Sequence, residues 1–494
     1  MVNVETAHVV VQRGTINITG ARKSGTSVRE GAARLLNSVC FNSLLALIVF
    51  VAIPYGTVEP WWEAAFECAV FAITGLWIVE ALLSGSCRLR QWHLFLPLLS
   101  LSVFAWLQSW TWPGASAVMA GTDEAWRVIS ADPQATRQFA FKLLALVLVG
   151  MLLFSHLSTP RRLRALIVVI VGVGILSAIF GILRQTVQRG DGFILPYLMP
   201  EEGYAQFINR NHFAFLMEMS LGVVLGLLFG VGRHHDRLLI HVAAAVPLWA
   251  ALVLSNSRGG IGSSLCQMLF LALLTGFVRT SSNPSVQSMD LFDRLRAVCR
   301  SIIGRVGLIV CLIATVLVGI LWLGGDQLVG RLESLSGEMK IDGAGDVRGG
   351  AMPSGVRRVE VWRATWEMIK AHPIAGIGFS AYWVAIPRYH QASGELIPRE
   401  AHNDYLEILA SGGVIGSILV AWFVIAFVWS VCRRLRSIDR FHRAFRLGAL
   451  TGLFGVAVHS LVDFGLHTTI NALILTVLAA ISVIDWRFER KAPA

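Results

Sequence analysis

Residues 160–183 read PRRLRALIVVIVGVGILSAIFGIL. No charged residue interrupts the run from Ala165 to Leu183. A helix of that length crosses the hydrocarbon of a bilayer, which takes roughly 20 apolar residues. The arginines that precede it, Arg161, Arg162 and Arg164, mark its cytoplasmic end, because basic loops are retained inside.

The rest of the chain repeats this pattern. Apolar segments fall near 38–54, 61–84, 92–111, 138–156, 165–183, 212–231, 238–254, 260–278, 305–325, 408–432, 444–464 and 468–486. The fold class expected is an all-α polytopic membrane protein with about twelve transmembrane helices. Composition agrees: 55% of the 494 residues are hydrophobic and 15% charged, against about 25% charged in soluble domains. Mean hydropathy is +0.63. With the N-terminus in the cytoplasm, the inside segments hold 26 of the 42 basic residues. That assigns the +11 formal charge to cytoplasmic loops rather than to a nucleic-acid surface. Membrane lipids are the expected surroundings, and no nucleic-acid partner is expected.

The domain boundaries follow. Residues 1–37, polar and basic, read as a disordered cytoplasmic tail rather than a signal peptide. Residues 38–325 hold transmembrane helices 1–9, and 326–407 form one large outside loop. Residues 408–486 hold helices 10–12, and 487–494 a cytoplasmic tail. The seven cysteines show no CxxC pair and no Cys/His zinc spacing, so no disulfide or metal framework is expected.

The outside loop opens Gly-rich and becomes helical. Val359, Trp362, Trp366 and Ile369 recur at helical spacing and form one apolar stripe, which should lie on the membrane surface or over the transmembrane bundle. Arg358, one turn before Trp362, shares that face, whereas Arg357 points away.

Polar residues gather at the outer boundary. Arg258 sits in SNSRGG between two spans, Arg210 and Asn211 open a span in NRNHF, and Asp463 lies in HSLVDFGLH. His402, Asn403 and Asp404 open another span in AHNDYLEILASGG. Ionisable groups at such depth are costly and point to function. Each has a plainer alternative: Arg258 as a snorkelling side chain, His212 and His402 as caps, Asp463 as half of a structural pair. Arginine forks bind phosphates bidentately. A His at a helix N-terminus is disfavoured as imidazolium and suited to act as a base. Arg258 and Arg358 on a lipid pyrophosphate, with His402 deprotonating an acceptor hydroxyl, would make a glycosyl transferase. The outward segments contain no Asp-x-Asp, so neither metal nor other cofactor is expected. The competing class is a secondary transporter of a small anion, which would place its site at the midplane between broken helices.

SRGG at 257–260, Arg358-x-x-x-Trp362, HPIAGIGFSAY at 372–382, AHNDYLEILASGGVIG at 401–416 and HSLVDFGLHTTINALIL at 459–475 resemble the O-antigen ligase and O-antigen polymerase superfamily. The resemblance spans roughly 205–480 and implies a GT-C-like bundle with a large helical periplasmic loop. It implies a metal-independent, inverting glycosyltransferase of the bacterial inner membrane with its active site facing the periplasm. The implied donor is an oligosaccharide on undecaprenyl pyrophosphate. The implied acceptor is a second glycan, a lipid A core or a protein. By the same resemblance Arg258, Arg358 and His402 are catalytic, and Arg210, Asn211, Tyr382, Asn403, Asp404 and Asp463 bind substrate.

Overall fold

The computed structural model describes residues 8–12, 15–19, 27–110, 128–188, 203–230, 235–282, 356–390, 398–434 and 440–484. Thirteen α-helices are described. They are α1 (Ser27–Ala52), α2 (Pro60–Ser84), α3 (Trp92–Gln108), α4 (Pro133–His156), α5 (Pro160–Val187), α6 (Arg210–Gly230) and α7 (His235–Leu254). Then come α8 (Arg258–Ser282), α9 (Val356–Ala371), the single turn α10 (Tyr382–Ala385), α11 (Asp404–Cys432), α12 (Arg440–His459) and α13 (Thr469–Val483).

Seven described helices, α1, α2, α4, α5, α6, α8 and α11, are long and apolar enough to cross a membrane, and α3, α7 and α13 are shorter apolar helices. This is a multi-pass membrane protein. Eleven of the expected segments fall on described helices. The segment at 305–325, most of the 279–305 loop, the Gly-rich stretch before Val356 and residues 487–494 lie outside the described residues.

Local chemistry sets several helix starts. Pro133 follows Asp132, whose carboxylate accepts from the N–H groups of Gln134 and Ala135. Pro160 follows Thr159, whose hydroxyl accepts from Arg162 N–H. Proline at the first helical position lacks only an N–H that would have no partner there.

The N-terminal tail departs from its expected disorder. Strands β1 (His8–Gln12) and β2 (Thr15–Thr19) pair antiparallel, and β2 pairs with β3 (Ser86–Arg90). HVVVQ and TINIT are rich in β-branched residues, which suit a pleated ribbon, and overall polarity had hidden these short runs. Helix α1 also starts at Ser27, well before the apolar run.

Helix α6 is the axis of the bundle, buried from His212 to Gly226 and touching α5, α7, α8, α12 and α13. Its closest partner is the antiparallel α12. A Cβ on Gly222 would lie 2.5 Å from Gly452 N, and one on Gly230 would lie 2.3 Å from Ala444 Cβ. Between them Gly226 abuts Gly448. Two rows of small residues at four-residue spacing let the backbones touch, the usual means of tight helix packing in lipid. The seam brings the first residues of α6 beside the last residues of α12, and the candidate site forms there.

The segment after α9 is stitched to the start of α11. Ile377 N–H donates to Ala410 O at 3.0 Å, Gly378 N–H to Ser411 O at 3.0 Å and Val414 N–H to Pro373 O at 2.8 Å. The Gln108 side chain adds bonds to Ala375 O and Ser411 O. Helix α11 breaks at Gly413, whose φ of 59° suits glycine, and a Cβ there would lie 2.4 Å from Ile374 O.

Candidate active site

Asn403 starts α11. Its side-chain oxygen accepts from the N–H groups of Tyr405 and Leu406 at 3.0 Å each, and its amide donates to Leu461 O at 2.9 Å. The side chain expected to bind substrate is thus committed to capping and to holding the turn after α12. His402, immediately before, has φ 51°, a left-handed conformation rare for a non-glycine residue. Strain of this kind costs about 1–3 kcal/mol and gathers at functional sites.

The geometry turns His402 toward Asp463. His402 Nδ1 is buried without a hydrogen-bond partner and lies 3.8 Å from Asp463 Oδ1, within ion-pair distance, while a third of the side chain stays exposed. Nε2 is the nitrogen left open. Asp463 is 2% exposed in the turn between α12 and α13. Its Oδ1 accepts from Phe464 N–H at 3.0 Å and its Oδ2 from Asn211 Nδ2 at 2.5 Å, and Arg358 Nη2 lies 3.6 Å from Oδ2. Burial alone would raise this carboxyl. The adjacent His402, with His212 and His459, outweighs burial and holds it at about 2.

Helix α9 explains the spacing of Arg358 and Trp362. Trp362 Nε1–H donates to Ala401 O at 3.0 Å, pinning the residue before His402, and Arg358 one turn earlier reaches Asp463. The inward face is Arg358, Val361, Thr365, Met368 and Ile369, with Trp362 half-buried at its edge. Of the apolar stripe, Ile369 is buried and Trp362 half-buried, whereas Val359 and Trp366 are 52% and 50% exposed. The side chain of Arg357 lies outside the described residues.

Arg258 begins α8, capped by Ser257, whose hydroxyl accepts from Gly260 N–H at 3.2 Å. The Arg258 side chain is exposed. A Cβ on Gly259 would lie 2.5 Å from His459 Nε2, so this turn rests on His459. The His459 carbonyl accepts from Asp463 N–H at 3.1 Å, which ties the Arg258 turn to the Asp463 turn. Beneath them His459 Nδ1 and Glu218 Oε1 form a fully buried pair 2.7 Å apart. Arg210 is half-buried at the start of α6, one residue before Asn211.

Phe464 joins three histidines edge-on: His212 and His402 at 4.8 Å and His467 at 5.6 Å between ring centres. His467 in turn faces carboxylates, with Nε2 3.1 Å from Glu407 Oε1 and Nδ1 3.5 Å from Glu400 Oε2. Burial opposes charge on His467. Glu400 and Glu407 outweigh it and hold the proton well above the usual histidine range. Asp404, expected to bind substrate, is buried behind His402, with Oδ1 4.0 Å from His467 Nε2.

Tyr382 is not at the opening. Its ring is 1% exposed, and its hydroxyl and that of Thr365 on α9 share a 2.6 Å hydrogen bond. It packs α9 against the loop.

The structure therefore brings together Arg358, His402, Asp463 and Asn211, with the Arg258 turn fixed beside them through His459. Sequence reasoning missed Phe464, His467, Glu400 and the Glu218–His459 pair. The signal available was the density of polar residues in DFGLH, each an ionisable or aromatic group at a bundle end.

A multi-pass helical bundle with arginines and an Asp-backed histidine at one end is the class the fold and site define. Residues 243–421 match the O-antigen ligase family model. The match contains Arg258, Arg358 and His402, while Arg210, Asn211 and Asp463 lie outside it. The family implies an enzyme of O-antigen ligation working on lipid-linked glycans. No curated protein sequence matches the chain.

Proposed function

We propose that the chain transfers a glycan from undecaprenyl pyrophosphate to an acceptor hydroxyl at the periplasmic face of the bacterial inner membrane. The observation that carries this reading is the pairing of His402 Nδ1 with Asp463 at 3.8 Å, with Nε2 left open and Arg358 on the same carboxylate. Asp463 orients the ring and stabilises the proton that His402 gains. His402 Nε2 takes the acceptor hydroxyl proton as that oxygen attacks the anomeric carbon. The bond to the pyrophosphate oxygen breaks on the opposite face, with inversion, and undecaprenyl pyrophosphate leaves with the electron pair. Arg358 and Arg258 receive its developing charge, so no metal is needed on the donor. Arg210 and Asn211 line the same end of α6.

The arrangement goes with twelve spans, both termini in the cytoplasm and the 326–407 loop in the periplasm. Two pairs of charged groups within the bundle satisfy each other: Lys142 bonds Glu63 at 2.6 Å and His156 bonds Glu80 at 2.8 Å. That weighs against an anion-transport path through the midplane.

The test is a reconstituted assay with a labelled undecaprenyl-pyrophosphate oligosaccharide, run beside His402→Ala. A ladder of longer lipid-linked products, absent from the variant, identifies a polymerase. Product formed only with lipid A core or protein added identifies a ligase or a protein glycosyltransferase. No product with any acceptor overturns the reading.

A further inference from the structure

His402 stands at φ 51°, a conformation that histidine rarely adopts unforced. The peptide group before it is therefore worth tracing. Ala401 N–H donates to Glu407 Oε2 at 3.0 Å, and Ala401 O accepts from Trp362 Nε1–H at 3.0 Å. The other Glu407 oxygen, Oε1, lies 3.1 Å from His467 Nε2. Glu400, one residue before Ala401, brings Oε2 to 3.5 Å from His467 Nδ1. One imidazole ring thus ties residues 400–401 twice, directly through Glu400 and through Glu407 to the Ala401 N–H.

An imidazole facing a carboxylate at each nitrogen is arranged as an imidazolium, with both N–H groups as donors. Its proton is held well above the usual histidine range. The cation lets Glu400 and Glu407 converge, since two carboxylates aimed at one point otherwise repel. The other groups around the ring do not replace it. Asp404 Oδ1, 4.0 Å from Nε2, adds negative charge, and the Phe464 ring stands between His467 and the rings of His402 and His212. Lys142 Nζ is engaged by Glu63 at 2.6 Å and by the His467 carbonyl oxygen at 2.7 Å.

The turn that carries Asp463 has anchors that do not use the His467 ring. Lys142 holds the His467 carbonyl, the Asn471 amide donates to Gly465 O at 3.0 Å, and Asp404 N–H donates to Ser460 O at 3.0 Å. The donor side is also held separately, Arg358 by Asp463 and the Arg258 turn by His459. Loss of the His467 charge therefore loosens residues 400–402 and leaves the arginines in place.

We propose that His467 is a positioning residue for His402: as an imidazolium between Glu400 and Glu407, it fixes the peptide that aims the His402 ring at Asp463. The inference rests on the glycan-transfer reading and adds to it a residue that sets turnover and not the grip on the donor.

The experiment compares His467→Gln, which is neutral, with His467→Lys, which keeps the cation. The His467 side chain is 35% exposed, which leaves room for the longer chain. Steady-state kinetics are run on full-length protein with the labelled undecaprenyl-pyrophosphate oligosaccharide and the acceptor that supports turnover. His467→Gln should lower kcat about 10–100-fold, the cost of misplacing a catalytic group by about 1 Å, with donor KM unchanged. His467→Lys should recover most of that loss. Wild-type kcat in His467→Gln overturns the proposal, as does a rise in donor KM that matches the fall in kcat. A lysine variant no better than the glutamine variant overturns it too. If His467→Gln does not fold, Glu400→Gln carries the test: kcat should fall about 3–10-fold with donor KM unchanged, and wild-type kcat there overturns the proposal. A wild-type chain inactive with every acceptor overturns the transfer reading and this inference with it. An active wild type with indifferent variants overturns this inference alone.

Discussion

His402 and Asp463 meet across two turns that no continuous element joins: Nδ1 of the first lies 3.8 Å from Oδ1 of the second. The same carboxylate takes Asn211 on its other oxygen, with Arg358 beside it. One acidic group therefore meets His402, one arginine and the first turn of α6. Asp463→Asn keeps the shape and removes the charge. Transfer should fall by about two to four orders of magnitude, the range attributable to general base catalysis. KM for the donor should rise as well, because Arg358 loses its anchor. Steady-state kinetics on the two proteins checks both.

Asp463 also makes a pH prediction. Its folded pKa of about 2 lies below the ordinary aspartate value. A depressed carboxyl contributes stability that is present above the unfolded value and lost as pH falls through the folded one. The gap in thermal midpoint between wild type and Asp463→Asn should be constant from neutral pH down to about 4 and close between about 4 and 2. Melting curves across that range measure it, and a gap closing near neutrality would contradict it.

The φ of 51° at His402 separates backbone from side chain. Neither His402→Ala nor His402→Gly should transfer glycan. The glycine variant should nonetheless be the more stable of the two by about 1 kcal/mol, since glycine adopts the left-handed region freely. Equal stability would mean the strain is relieved elsewhere.

Gly259 tests whether the Arg258 turn must rest on His459. A Cβ on Gly259 would sit 2.5 Å from His459 Nε2, whereas nothing lies within 4 Å of one on Gly262 in the same helix. Gly259→Ala should cost about 1–3 kcal/mol through overpacking and displace Arg258, raising donor KM. Gly262→Ala should leave both unchanged or gain slightly. Paired melting curves and kinetics decide.

Arg358→Ala should abolish activity and Arg357→Ala should not, because adjacent helical residues point about 100° apart. Arg258→Lys should be poor, since ammonium lacks the fork geometry. Equal loss in both alanine variants would remove the helix-face argument, and full activity in Arg258→Lys would return Arg258 to a snorkelling role.

Much of this was legible in the residues themselves. Arg358, His402, Asp463 and Asn211 stood out because charge beside apolar runs is expensive. Hydrophobic spacing did not choose which part of the α9 stripe meets protein. The Trp362 indole seeking Ala401 O and Arg358 seeking Asp463 did. Gly222, Gly226 and Gly230 repeat visibly, but that they face Ala444, Gly448 and Gly452 is a tertiary fact. Glu218 and His459 pair across the chain, and neither names the other in sequence. The strands at His8–Gln12 and Thr15–Thr19 were too short to register against a polar background.

The backbone stitching between 373–378 and 410–415 has a consequence for how such chains can diversify. Helix α9 is located from its C-terminal end, by Pro373, Ile377 and Gly378 against the broken start of α11. Among the described residues, the seam that places Arg358 lies on the C-terminal side of α9. Length changes upstream of Val356 should be tolerated by the site, while a single residue inserted between His372 and Phe379 would slip every bond of the seam. An insertion inside the seam should therefore be the more damaging change, because it displaces the helix that carries Arg358.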